Sequence, residues 1–88
     1  MEEIGQAWEG ETVNEALAAK VDPAAFLAIG FYEDKSRDRL VWIDTRDKAE
    51  LGWVSLALVA EHPQAKHMAF QDVLRTQALR YPFTEAKQ

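Results

Sequence analysis

The most regular pattern in the chain runs from Phe26 to Thr45, FLAIGFYEDKSRDRLVWIDT. Leu27, Ile29 and Phe31 alternate with Phe26, Ala28, Gly30 and Tyr32, and Val41 and Ile43 alternate with Leu40 and Trp42. A period of two in β-branched and aromatic residues suits a pleated strand, and Gly30 would weaken a helix interior. The polar run DKSRD between them reads as a strand connection. The pattern therefore predicts a hairpin with strands about 26–33 and 39–44. Asp22-Pro23, just upstream, is also a good helix opening, with Asp as N-cap and Pro as first helical residue. A short helix after Pro23 stays open beside the strand.

Elsewhere the spacing is helical. Thr12 with Glu15 three residues on has the form of a capping box, and Val13, Ala16, Leu17 and Val21 then share one face, which predicts a helix from Val13 to Lys20. Asp47 with Glu50 repeats the capping pattern ahead of a helix from Lys48 to Glu61. In it Leu51, Val54 and Leu58 make one stripe, and Trp53, Leu56, Ala57 and Ala60 nearly make another. A helix apolar most of the way round is a buried central helix or an interface helix. After Pro63 a third helix, Gln64 to Arg80, aligns Phe70, Val73, Leu74 and Tyr81 and keeps Lys66, Arg75 and Arg80 on its polar side.

The order helix, hairpin, helix, helix is an α+β arrangement, with an all-α fold as the alternative if the hairpin is helical. Eighty-eight residues fill one core, so the expectation is a single domain: an acidic arm over 1–11, a globular body over 12–82 and a frayed tail over 83–88. A lone two-stranded sheet is marginal in water and leaves two edges open. Here both faces are apolar as well. Pairing two hairpins across a two-fold axis would cover an edge and much of that surface, which predicts a homodimer.

Composition narrows the chemistry. The chain has no cysteine, which excludes disulfides, thiolate metal sites and cysteine nucleophiles. It has no apolar run near the ~18 residues of a membrane helix, and its first residues lack the order of a secretion signal. The expectation is a soluble cytoplasmic protein without a membrane partner, and the alanine-rich, cysteine-free composition hints at a bacterial or phage source. The net charge of −5 is localised: residues 1–15 hold Glu2, Glu3, Glu9, Glu11 and Glu15 and no Lys or Arg, leaving ten acids and ten bases in the remainder. Direct nucleic-acid binding wants the opposite sign, so a basic protein surface is the expected partner.

Glu33, Asp34, Asp38 and Asp44 could share a cation, but the run lacks calcium-loop spacing, and Lys35, Arg37 and Arg39 interleave with the acids. His62 and His67 stand five apart across Pro63, the wrong spacing for a metal pair on one helix. Neither Ser36 nor Ser55 sits in a nucleophile context. No catalytic residue, metal or cofactor is expected. Trp53 is expected in the core. In the arm, Ile4 and Trp8 lie one helical turn apart among glutamates, an apolar anchor rimmed by acid. This anchor docks either on its own body or on a partner.

The sequence thus points to a non-enzymatic interaction module, an adaptor, regulator or inhibitor of a partner protein, working as a homodimer. Its partner-binding residues would be Glu2, Glu3, Ile4, Trp8, Glu9 and Glu11 of the arm, with Tyr32 and Trp42 of the hairpin. One alternative is an acidic decoy that occupies the nucleic-acid-binding groove of a basic protein. Another is a small enzyme or ligand-binding protein whose pocket, between hairpin and helices, uses Asp44, Arg46 or His67.

Overall fold

The computed structural model describes residues 5–6 and 11–83. Its elements, in chain order, are a two-residue strand β1 (Gly5–Gln6), helix α1 (Glu11–Ala18), a single helical turn α2 (Pro23–Phe26), strands β2 (Ile29–Asp34), β3 (Arg39–Asp44) and β4 (Glu50–Ser55), a short helix α3 (Leu56–Glu61) and the long helix α4 (Gln64–Arg80). The strands form one antiparallel sheet in the order β1-β2-β3-β4. The fold is α+β, as the sequence predicts.

Both ends of the Asp22-Pro23 ambiguity are realised. Asp22 caps α2 by accepting from the Ala24 N–H at 2.9 Å, with Pro23 in the first turn, and the strand starts only at Ile29. Helix α1 begins one residue before Thr12. Glu15, expected to complete a capping box, pairs with His67 of α4 and ties the two helices together. The end of α1 is a left-handed cap. Lys20 has φ of 65°, the Val21 N–H donates to the Ala16 carbonyl at 2.9 Å and the Lys20 N–H to the Leu17 carbonyl at 3.0 Å.

The largest departure lies at 48–61, expected as one helix. Residues Glu50–Ser55 form the third long strand, and only Leu56–Glu61 is helical. The Asp47 that looked like an N-cap accepts instead from the Ala49 N–H at 3.0 Å, inside a tight β3–β4 turn closed by bonds from Lys48 N to Asp44 O and from Asp44 N to Ala49 O. The apolar spacing deceived for a physical reason. A register shift between Trp42 and Ile43 pairs Trp42 with Gly52 but Ile43 with Glu50, so Leu51 is an extra residue on β4. That bulge breaks strict alternation and lets Leu51 and Val54, three apart, both be buried.

β4 also answers the question of cover. It takes the β3 edge of the hairpin, and β1 pairs with Gly30 and Phe31 at the start of the β2 edge. Against the expectation of two open edges, the β3 edge is therefore not open to a second hairpin.

The core lies between one sheet face and the helices. Leu40 and Trp42 of β3, Leu51 and Val54 of β4, Ile29 of β2 and Phe26 of α2 meet Phe70, Val73 and Leu74 of α4. The Phe70 ring sits edge-on to Phe26, with centroids 6.3 Å apart, and 6.0 Å from Trp42. Fully burying side chains of this size contributes about 2–3 kcal/mol each, so Trp42, Phe70 and Leu74 account for a large part of the stability. Gly52 lets α4 approach: a Cβ there would lie 2.9 Å from Cγ2 of Val73. At the C-terminal end Pro82 bridges to Val21 and the Phe83 N–H donates to the Lys20 carbonyl at 2.9 Å. Phe83, expected to fray, is thereby pinned to the α1–α2 turn.

Candidate protein-interaction surface

The face of the sheet turned away from α4 is fixed by the register. Gly52 faces Val73, and its cross-strand partners Trp42 and Phe31 lie on that same side. The next row, Tyr32, Val41 and Trp53, therefore points the other way. Arg39 shares the parity of Val41, and its guanidinium carbon stands 3.8 Å over the Trp53 ring. Val41 is 3% exposed and Tyr32 is half-buried, whereas Trp53 keeps 48% of its surface in solvent.

The two body tryptophans have thus exchanged roles. Trp42, expected at a partner-binding surface, is 0% exposed and packs in the core. Trp53, expected in the core, is half-exposed beside an arginine. Strand alternation showed that Trp42 and Val41 face opposite ways, but both rows are apolar, so nothing in β3 alone says which row α4 covers. Tyr32 lies on the outward face and is half-buried. Of the arm residues, Glu2, Glu3, Ile4, Trp8 and Glu9 lie outside the described residues. Two positions between them, Gly5–Gln6, are strand β1, and Glu11 opens α1.

The charged hairpin tip is held by local contacts and by the Leu56 N–H, which donates to the Asp38 carbonyl at 3.0 Å. Ser36 donates to Asp34 at 2.8 Å, Lys35 stands 3.9 Å from Glu33, and Asp38 takes φ of 57°. Among the described residues no group of three His, Asp or Glu side chains could hold a metal ion.

A second polar cluster sits at the far end of β3. The Asp44 side chain is fully buried. Its Oδ1 accepts from the Arg46 N–H at 2.9 Å and from Arg46 Nε at 3.2 Å. Its Oδ2 accepts from Arg46 Nη2 at 3.3 Å and from Gln77 Nε2 at 3.1 Å, and Arg80 Nη1 stands 3.5 Å away. Arg80 also bonds Asp47, and the Arg46 guanidinium lies 4.0 Å over the Tyr81 ring. Burial pushes the Asp44 carboxyl up, but its bonds from Arg46 and Gln77 outweigh that and hold it below the ordinary aspartate range. Asp47 is likewise lowered, chiefly by the Ala49 N–H and then by Arg80. Asp44 with two cations and an amide is a structural tie between the β3–β4 turn and α4, its acceptors already filled.

The third polar group named for a pocket, His67, lies elsewhere, against Glu15. An apolar pocket of about 110 Å³ opens between α1 and α2, lined by Val13, Ala16, Leu17, Pro23, Phe26 and Leu27. It contains neither Asp44, Arg46 nor His67 and has room for one small apolar group. No helix of the described residues is long and apolar enough to cross a membrane. Comparison with protein-family models, with curated proteins and with solved structures finds no match to this chain.

Proposed function

We propose that this chain is a non-enzymatic interaction module that recognises a partner protein through the outward face of its sheet and works as a homodimer. The observation that carries this reading is the Tyr32–Val41–Trp53 row with Arg39 stacked on its exposed end. Tyr, Trp and Arg are the side chains that dominate binding energy at protein interfaces, because each combines large area with a polar handle. A half-exposed tryptophan already braced by an arginine loses little freedom on docking. The acid of residues 1–15 would draw a partner whose apolar pocket is bordered by lysine and arginine.

The test is affinity capture from the native host with wild-type, Trp53→Ala and Tyr32→Ala proteins, each checked for folding by circular dichroism. Trp53→Ala is expected to weaken the complex by about 2 kcal/mol or more, roughly thirtyfold. Raising the salt should weaken it further if the acidic stretch takes part. A complex that both alanine variants bind as well as wild type would overturn the assignment to this face.

A further inference from the structure

The outer face of α4 carries a stripe that none of the roles above uses. Leu79 is 85% exposed and Met68 66% exposed, the two most exposed large apolar side chains of the described residues. Between them, on the same face, lie Asp72 and Arg75, bonded to each other with side chains 76% and 67% exposed. At 100° per residue Met68, Asp72, Arg75 and Leu79 fall within a band about 60° wide, opposite Phe70, Val73, Leu74 and Gln77, which are buried.

The stripe is complementary to itself when reversed. Met68 lies five residues before Val73 and Leu79 five after Leu74; Asp72 lies one before Val73 and Arg75 one after Leu74. A two-fold axis passing midway between Val73 and Leu74 therefore brings Met68 level with Leu79 of a second copy at both ends. In the middle it brings Asp72 level with the second copy's Arg75. A parallel pairing would instead set Asp72 level with Asp72 and Arg75 level with Arg75. Charge thus selects the antiparallel, isologous arrangement.

We infer that α4 is the homodimer contact, packing antiparallel on α4 of a second copy with Met68 against Leu79 and a four-charge ring of Asp72 and Arg75 at the centre. The inference rests on the homodimer part of the proposed function and gives it a surface in place of the hairpin, whose β3 edge the chain covers itself. One helix pair about 25 Å long buries less than the ~1,200 Å² of a standard interface, so the dimer is weak, with Kd roughly 10–100 μM. The surface lies across the sheet from Trp53, so both contacts can be made at once.

Two measurements test it. Sedimentation equilibrium from low micromolar to near-millimolar protein reads the oligomeric state of wild type, Asp72→Arg, Arg75→Asp and the double charge swap. Each single reversal is expected to raise Kd roughly five- to tenfold, and the double swap to restore it. The chain has no cysteine, so Met68→Cys and Leu79→Cys, one of them size-tagged, can be mixed and mildly oxidised. The mixed disulfide should dominate over both self-linked species. A dimer indifferent to charge reversal, or one in which self-linked species prevail, overturns the α4 contact while leaving the homodimer reading intact. A monomer at every concentration removes both the contact and the homodimer, and leaves recognition through Trp53 to its own test. A purified protein of another sequence competing at this face, with no self-association, would likewise overturn it.

Discussion

Asp44 joins the β3–β4 turn to the C-terminal part of α4, through Arg46 on one side and Gln77 and Arg80 on the other. Asp44→Ala leaves these donors facing each other without their acceptor and should lower the unfolding free energy by about 2–3 kcal/mol in urea titration. Asp44→Asn, which keeps one acceptor and the shape, should cost less. The lowered Asp44 and Asp47 carboxyls also set a sign for pH. A carboxylate depressed in the folded state stabilises above its unfolded value of about 3.9 and loses that contribution as the pH falls through the folded one. Unfolding free energy should therefore drop on acidification below pH about 4, and Asp44→Asn should flatten that drop. Equal slopes for the two proteins would show that Asp44 is not the titrating group. Little of this was legible in the sequence: Asp44 looked like one more acid near a charged tip, because Gln77 and Arg80 are more than thirty residues away.

At the scale of elements, legibility followed how local the determinants are. β3 and α4 emerge with their true bounds, whereas the first strand, expected from Phe26, starts at Ile29 because Phe26 ends α2. α1 shifts by two residues, and its cap is a backbone turn at Lys20 that no side-chain motif announces. β4 was hidden by its bulge, which spaces Leu51 and Val54 like a helix. Gly52 was the available clue, a poor helix interior residue and a good site for close approach of α4. Gly52→Ala should force β4 and α4 apart and destabilise by about 1–3 kcal/mol, read as a lower urea midpoint at unchanged slope. If the variant is as stable as wild type, Val73 moves aside and the helix–strand contact is looser than its geometry implies. The site was legible only in kind. Aromatic and arginine content was evident, but the assignment of Trp42 and Trp53 to faces needed the register.

For the whole molecule, the consequence is a division of surfaces. β4 covers the β3 edge of the hairpin, α4 fills one sheet face, and the Trp53 row and the Met68–Leu79 stripe are exposed on opposite sides. A homodimer built on α4 would turn the two Trp53 faces outward, presenting a partner with two identical sites rather than one. Partner binding measured below and above the dimer Kd should then differ in apparent affinity toward a surface-immobilised partner, because two sites on one particle rebind. Equal apparent affinity at both concentrations would place the contacts on separate, uncoupled copies.

Ser55 ends β4 and also caps α3, its hydroxyl accepting from the Leu58 N–H at 3.2 Å. Strand passes into helix with no intervening loop. One added or deleted residue there would either slip β4 by one position and turn the outward row inward, or rotate α3 by about 100°, with no loop to absorb the change. The hairpin tip at 35–37 carries no such constraint, whereas the Asp38 carbonyl next to it accepts from the Leu56 N–H at 3.0 Å. Natural variation in chain length should accordingly gather at the tip and be missing at Ser55–Leu56, and a peptide tag or fluorophore loop belongs at the tip for the same reason.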